Sequence, residues 1–173
     1  FNGEIYNFKE IRAELESKGY LFDSNSDTEV ILKGFDCWGI SVLQKFIGMF
    51  AIAIFDRSIN KIFIIRDRAG VKPVYYFFKK NVFLFGSELK SLYAHPAFEK
   101  SIDTNSLALF LQFSYIPAPH TIFHHTSKLL PGHYLEINLS NSEVKLNKYW
   151  DVFDHYNKGS ILISDKDAID ETE

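Results

Sequence analysis

The chain has 173 residues, 46% of them hydrophobic and 24% charged, with a formal net charge of −3 and one cysteine. That length suits one domain with a sizeable core, and seventeen Phe and nine Tyr point to a sheet-rich, aromatic-packed interior. The weakly acidic balance excludes nucleic acid as the expected partner, and the lone cysteine excludes a disulfide framework. The longest apolar run, residues 46–55, is too short for the roughly 20 residues of a membrane helix, so no membrane partner is expected and the cytoplasm is the expected compartment.

In chain order, Phe1 to Asn7 read as a strand end and a turn. Apolar Phe8, Ile11 and Leu15 then recur at helical spacing over residues 8–18, and Gly19 stops the helix. Residues 20–22 read as a short strand and residues 23–26 as a polar loop. A second helix is predicted over 28–38 with Asp27 as its N-cap candidate, and a further short one over 40–46. From Gly48 the period changes. Residues 49–55 are almost continuously apolar, which suits a strand covered on both faces, and strands over 62–65, 74–78 and 82–85 would continue it as a four-stranded meander.

Ser87 and Glu88 are expected to cap a helix over 88–93, and Asp103 to cap another through Leu107, Phe110 and Leu111. Residues 115–128 read as irregular, with Pro117, Pro119 and three histidines. A last hairpin pairs 134–139 with 144–149. Beyond Trp150 the composition turns polar, which reads as a linker over 151–173 entering a helix. Helices, an antiparallel sheet, more helices and a final hairpin make an α+β layered domain.

Several residues carry chemistry. Asn2-Gly3 sets a side-chain amide beside a backbone N–H that glycine can expose, and two adjacent donors can form an oxyanion hole, although most Asn-Gly pairs are only turns. Glu4 beside them could hold an ammonium group. Arg66-Asp67-Arg68 reads as a charged turn whose ions pair with one another. His120, His124, His125 and His133 lack the spacing and cysteine partners of a zinc site, so no metal is expected there. Cys37 lies inside a predicted helix beside Trp38 and reads as an inert, buried thiol.

Taken together, Phe1-Asn2-Gly3-Glu4, Ser26-Asp27-Thr28-Glu29, Gly48-Met49-Phe50-Ala51, the run from Arg66 to Pro73, and Gly86-Ser87-Glu88-Leu89-Lys90 resemble one family over residues 1–150. It is the class II glutaminase domain, an N-terminal-nucleophile hydrolase, of glutamine-hydrolysing asparagine synthetases. The resemblance implies a four-layer αββα sandwich of antiparallel sheets with helices on the outer faces, its N-terminal strands missing here. It implies Asn2 and Gly3 as the oxyanion hole and Asn2, Glu4 and Asp27 as glutamine-binding residues. The nucleophile would be an N-terminal cysteine whose α-amine is the base. This chain begins with Phe1, so by itself it is expected to be inactive.

The same resemblance places ATP and Mg2+ in a synthetase domain outside these residues. It makes that domain a partner, with residues 115–125 near the contact, and allows a homodimer of the parent. Other class II amidotransferases, such as β-lactam synthetase-like enzymes and glucosamine-phosphate synthase, are alternatives, as is a non-catalytic glutaminase-like domain kept for binding or docking. Cut from its parent, the chain is expected to aggregate or dimerise through open sheet edges.

Overall fold

The computed structural model describes residues 1–156. Two antiparallel sheets carry the architecture. The first has five strands in the order β1 (Asn2–Ile5), β2 (Gly48–Asp56), β3 (Lys61–Arg66), β7 (His133–Asn138) and β8 (Glu143–Lys148). The second has three, with β4 (Tyr75–Lys79) between β5 (Val82–Gly86) and β6 (Thr126–Lys128).

Three apolar cores mark the three interfaces between layers. Helices α1 (Phe8–Ser17) and α2 (Asp27–Trp38) bury Ile11, Leu15, Val30 and Ile31 against Ile5, Phe50, Ile52, Phe63 and Ile65 of the first sheet. The other face of that sheet sends Ile64, Leu135 and Ile137 towards Val74, Tyr76 and Phe83 of the second. The far face of the second sheet buries Phe77 with Leu92, Phe98 and Phe123, beside the one-turn helix α3 (Leu89–Leu92). Alternation in the strands therefore divides each sheet's apolar residues between two neighbours, and the result is the αββα sandwich.

The expected meander is broken. Strand β3 pairs with β2 on one side and β7 on the other, so β4 has no edge to join and starts the second sheet. Residues 66–73 are thus a crossover between sheets, and their ions do not pair with one another. Asp67 is fully buried and accepts from the N–H groups of Val71 and Lys72, both at 2.9 Å, and of Phe50 at 3.3 Å. The Arg66 guanidinium donates to the carbonyls of Leu129, Gly70 and Lys72 at 2.6, 2.7 and 2.8 Å. Burial pushes that guanidinium below its ordinary pKa. Buried charges need partners, and here backbone groups supply them, which welds the crossover to the strap before β7.

Other differences are local. Residues 20–22 form no strand, because Tyr20 and Phe22 pack against the helical core instead. The N-cap of α2 is Ser26, whose hydroxyl accepts from Thr28 N–H at 3.1 Å, and Asp27 is the first helical residue. The helix expected over 40–46 is a 3-10 helix, Gly39–Gln44. Glu88 is the N-cap of α3 without a side-chain cap bond. Strand β6 lies inside the segment read as irregular, recruited by pairing with Tyr75, Tyr76 and Phe77. Asp103 caps α4 (Thr104–Phe113) as expected, accepting from Asn105 N–H at 2.9 Å. Residues 152–156 form α5 (Val152–Tyr156), and the rest of the expected linker lies outside the described residues.

Candidate active site

Strand β1 is an edge strand, and its register decides which groups face outward. Gly3 lies opposite Phe50. The Phe50 carbonyl accepts the Asp67 N–H at 2.9 Å and its N–H donates to the Asp67 carboxylate, so the polar groups of Phe50 face away from β1. The Gly3–Phe50 pair is therefore the close, non-hydrogen-bonded kind, and the Gly3 N–H points out of the sheet at its open edge. The close approach explains the glycine. A Cβ at Gly3 would lie 2.0 Å from the Met49 carbonyl oxygen and 2.7 Å from the Phe50 Cα, and φ of +145° is itself foreign to L-residues.

Ile5 has the same parity, and its outward N–H donates to Asp27 Oδ2 at 3.2 Å. This contact sets the Asp27 carboxylate at the same edge, two residues or about 7 Å along the strand from Gly3. A carboxylate accepts several hydrogen bonds, so Asp27 can take this one and an ammonium group as well. Asn2 and Glu4, opposite Ala51 and Met49, alternate onto the other face of β1, towards the second sheet, and both are exposed.

Between the sheets on that side lies a cleft of about 240 Å³, lined by Phe1, Asn2, Ala51, Ala53, Phe85 and Ser87 among others. It exists because the inter-sheet face of β2 carries the small residues Ala51 and Ala53, so this strand is not covered on both faces as its apolar run suggested. Across the cleft mouth, Asn2 Nδ2 donates to Ser87 Oγ at 3.4 Å.

The loop leading to Asp27 is strapped by groups to which the motifs assigned no role. Glu29 accepts from Asp23 N–H at 3.0 Å, from Ser24 N–H and Oγ at 2.8 and 2.7 Å, and pairs with Lys33 at 2.8 Å. The Lys33 ammonium and the Ser24 hydroxyl hold its carboxyl down at about 2. Arg12 adds bonds to the Ser24 carbonyl and Asn25 Oδ1. The available signal was the Glu29/Lys33 spacing on one helix face.

The remaining candidates lie elsewhere. Cys37 is half-buried, packed on the helical core, and ten residues or about 15 Å along α2 from Asp27. His124 Nδ1 sits 3.8 Å from Asp103 Oδ2, and His133 Nδ1 is 2.7 Å from the Pro131 carbonyl oxygen. Among the described residues no three His, Cys, Asp or Glu side chains converge as metal ligands, and no helix is long and apolar enough to cross a membrane.

Strand β1 thus presents the Gly3 N–H and the Asp27 carboxylate along one open edge of a layered sandwich. The model of the glutamine amidotransferase domain family matches residues 1–150. The chain belongs to that family. It is 39% identical over 158 residues to the glutamine-hydrolysing asparagine synthetase 2 of Bacillus subtilis, covering 88% of this chain and 21% of that protein. Against a putative asparagine synthetase 2 of Methanocaldococcus jannaschii it is 35% identical over 167 residues, covering 94% of this chain and 32% of that one.

Among solved structures, the glutamine phosphoribosylpyrophosphate amidotransferase of B. subtilis superposes with a TM-score of 0.57 at 18% identity, covering 86% of this chain and 28% of that one. That likeness supports the fold. The chain spans between a fifth and a third of the curated relatives it matches.

Proposed function

We propose that this amidotransferase domain is the glutaminase part of an asparagine synthetase, releasing ammonia from glutamine for amidation of aspartate elsewhere in the parent protein. The observation that carries the reading is the open edge of β1, where the outward Gly3 N–H lies about 7 Å along the strand from the Ile5 N–H that holds the Asp27 carboxylate. Two donors at one end and a carboxylate at the other suit a short α-amino acid with an amide at its far end.

In this reading the parent supplies a cysteine thiolate, since Cys37 is remote from the edge. The thiolate attacks the amide carbon of glutamine, and the oxyanion that forms lies between Gly3 N–H and Asn2 Nδ2. The cysteine's α-amine, which took the thiol proton, passes it to the departing nitrogen, so collapse expels ammonia and leaves a thioester. Water then attacks the thioester, the same donors hold the second oxyanion, and glutamate leaves with the thiol restored. Asp27 and Glu4 anchor the α-ammonium, each charge-assisted bond contributing on the order of 1.5–3 kcal/mol. The family resemblance assigns ATP and Mg2+ to the rest of the parent.

The partner surface is assigned to α4 and the segment after it. Leu111 and Tyr115 are 75% and 61% exposed there, and Leu107, Phe110 and Phe113 are also uncovered. A contiguous apolar face of this kind suits docking against the synthetase part.

Glutamate release by the full parent protein tests the function. Asn2→Ala is expected to lower kcat by about 10²–10³-fold, as loss of one oxyanion donor does elsewhere. A parent that releases no glutamate would overturn this reading.

A further inference from the structure

We propose that Ser87 is a positioning residue for the Asn2 amide, so that the oxyanion donor of one sheet is held by a post on the other. The inference rests on the glutaminase reading for its catalytic consequence, but its geometric core stands on the cleft alone.

Asn2 is exposed on an edge strand that pairs with β2 on one side only. Its amide turns about a terminal torsion whose energy profile is broad, so the backbone by itself leaves the donor poorly aimed. Its amide donates across the cleft to Ser87, 85 positions away, through Nδ2 to Oγ at 3.4 Å, and both residues line the same cleft. An amide nitrogen has two hydrogens. One on Ser87 fixes the plane and leaves the second for an oxyanion.

Ser87 is suited to act as the fixed partner. The preceding Gly86 is paired with Tyr75 in the ladder, and a Cβ there would lie 2.2 Å from Ser91 Oγ. Ser91 in turn donates through its hydroxyl to the Glu88 carbonyl at 2.6 Å. The backbone before Ser87 is thus packed between a strand and the first turn of α3, which limits how far Ser87 can follow Asn2. The cost of losing this contact should fall on turnover rather than on glutamine binding, because the bond aims a donor that matters most when the oxyanion develops.

The test uses the full parent protein. Ser87→Ala is expected to lower glutaminase kcat by about three- to tenfold, the share of one neutral hydrogen bond, with KM unchanged. Ser87→Thr, which keeps the hydroxyl, should recover most of the rate. In an Asn2→Ala background, Ser87→Ala should add nothing. A raised KM at constant kcat would make Ser87 a substrate contact and overturn the proposal. So would an undiminished loss in the Asn2→Ala background, or a loss that Ser87→Thr fails to recover.

If the wild-type parent releases no glutamate, the glutaminase reading falls separately. The contact is then read from the side-chain amide resonances of Asn2 by 15N NMR. A shift in Ser87→Ala supports the positioning contact, and unchanged resonances overturn it.

Discussion

Helices α2 and α4 are both rich in apolar residues, yet the fold treats them oppositely. Helix α2 interleaves Glu29, Lys33 and Asp36 with Val30, Ile31 and Gly34, and buries the second set under the first sheet. Helix α4, Thr-Asn-Ser-Leu-Ala-Leu-Phe-Leu-Gln-Phe, has no charged residue to mark an outer face, and among its side chains only Ser106 is buried. The polar residues of α4 are the uncharged Thr104, Asn105, Ser106 and Gln112, so most of its surface is apolar. The difference teaches that α2 finds its cover on the first sheet, whereas α4 presents an uncovered apolar surface among the described residues.

The sharpest way to break that comparison is on the side of α2, at strand β1. Gly3→Ala would drive a methyl group into the Met49 carbonyl and hold an L-residue at φ +145°. Strand β1 should shift off β2, and glutaminase turnover of the parent should fall by at least about 10²–10³-fold, the loss of an oxyanion donor. Full activity in this variant would remove Gly3 from the site.

Next in size is a matched pair of truncations. Ile31, 2% exposed, sits in the helix-on-sheet core, and Ile31→Ala should cost about 2–5 kcal/mol in chemical denaturation. Leu111→Ala removes as large a group from α4 and should change stability of this chain by no more than about 0.5 kcal/mol. In the parent, the same Leu111 variant should loosen domain association, measured by limited proteolysis between the parts. Equal costs in the two helices within this chain would mean that α4 is already covered.

Much of this asymmetry was legible in the residues. The 3.6-residue period placed α1 and α2, the dense apolar runs placed β2 to β5, and Asp103 marked the start of α4 by its cap chemistry. What failed was pairing. Local pattern cannot show that β3 gives its second edge to β7, some seventy residues on, because strand partners are chosen by the whole sheet. The crossover at 66–73 misled for a related reason. Adjacent opposite charges suggest mutual ion pairs, but Asp67 lies at a backbone turn where N–H groups from both sides converge on it.

The candidate site divides the same way. Asn2, Gly3, Glu4 and Asp27 stood out as residues, whereas the outward direction of the Gly3 N–H follows from its register against Phe50. The Ser87 contact spans two sheets and has no local trace at all.

The smallest expected effect concerns the strap that presents Asp27. Glu29 holds the loop before α2 through backbone and hydroxyl donors on Asp23 and Ser24, and its carboxyl titrates at about 2 instead of the ordinary 4.5. A carboxyl depressed in the folded state contributes stability that is fully present above its unfolded pKa. That contribution fades as pH falls from about 4.5 towards 2, because the unfolded chain takes up the proton first. Glu29→Gln keeps the size of the group but cannot titrate. Its Tm should therefore sit slightly below that of the wild type from pH 7 to 5, and the gap should narrow as the pH falls from about 4.5 towards 2. A gap that stays constant down to pH 2 would show that the carboxylate charge contributes nothing, and the loop would then be held by packing of Phe22 on the helical core.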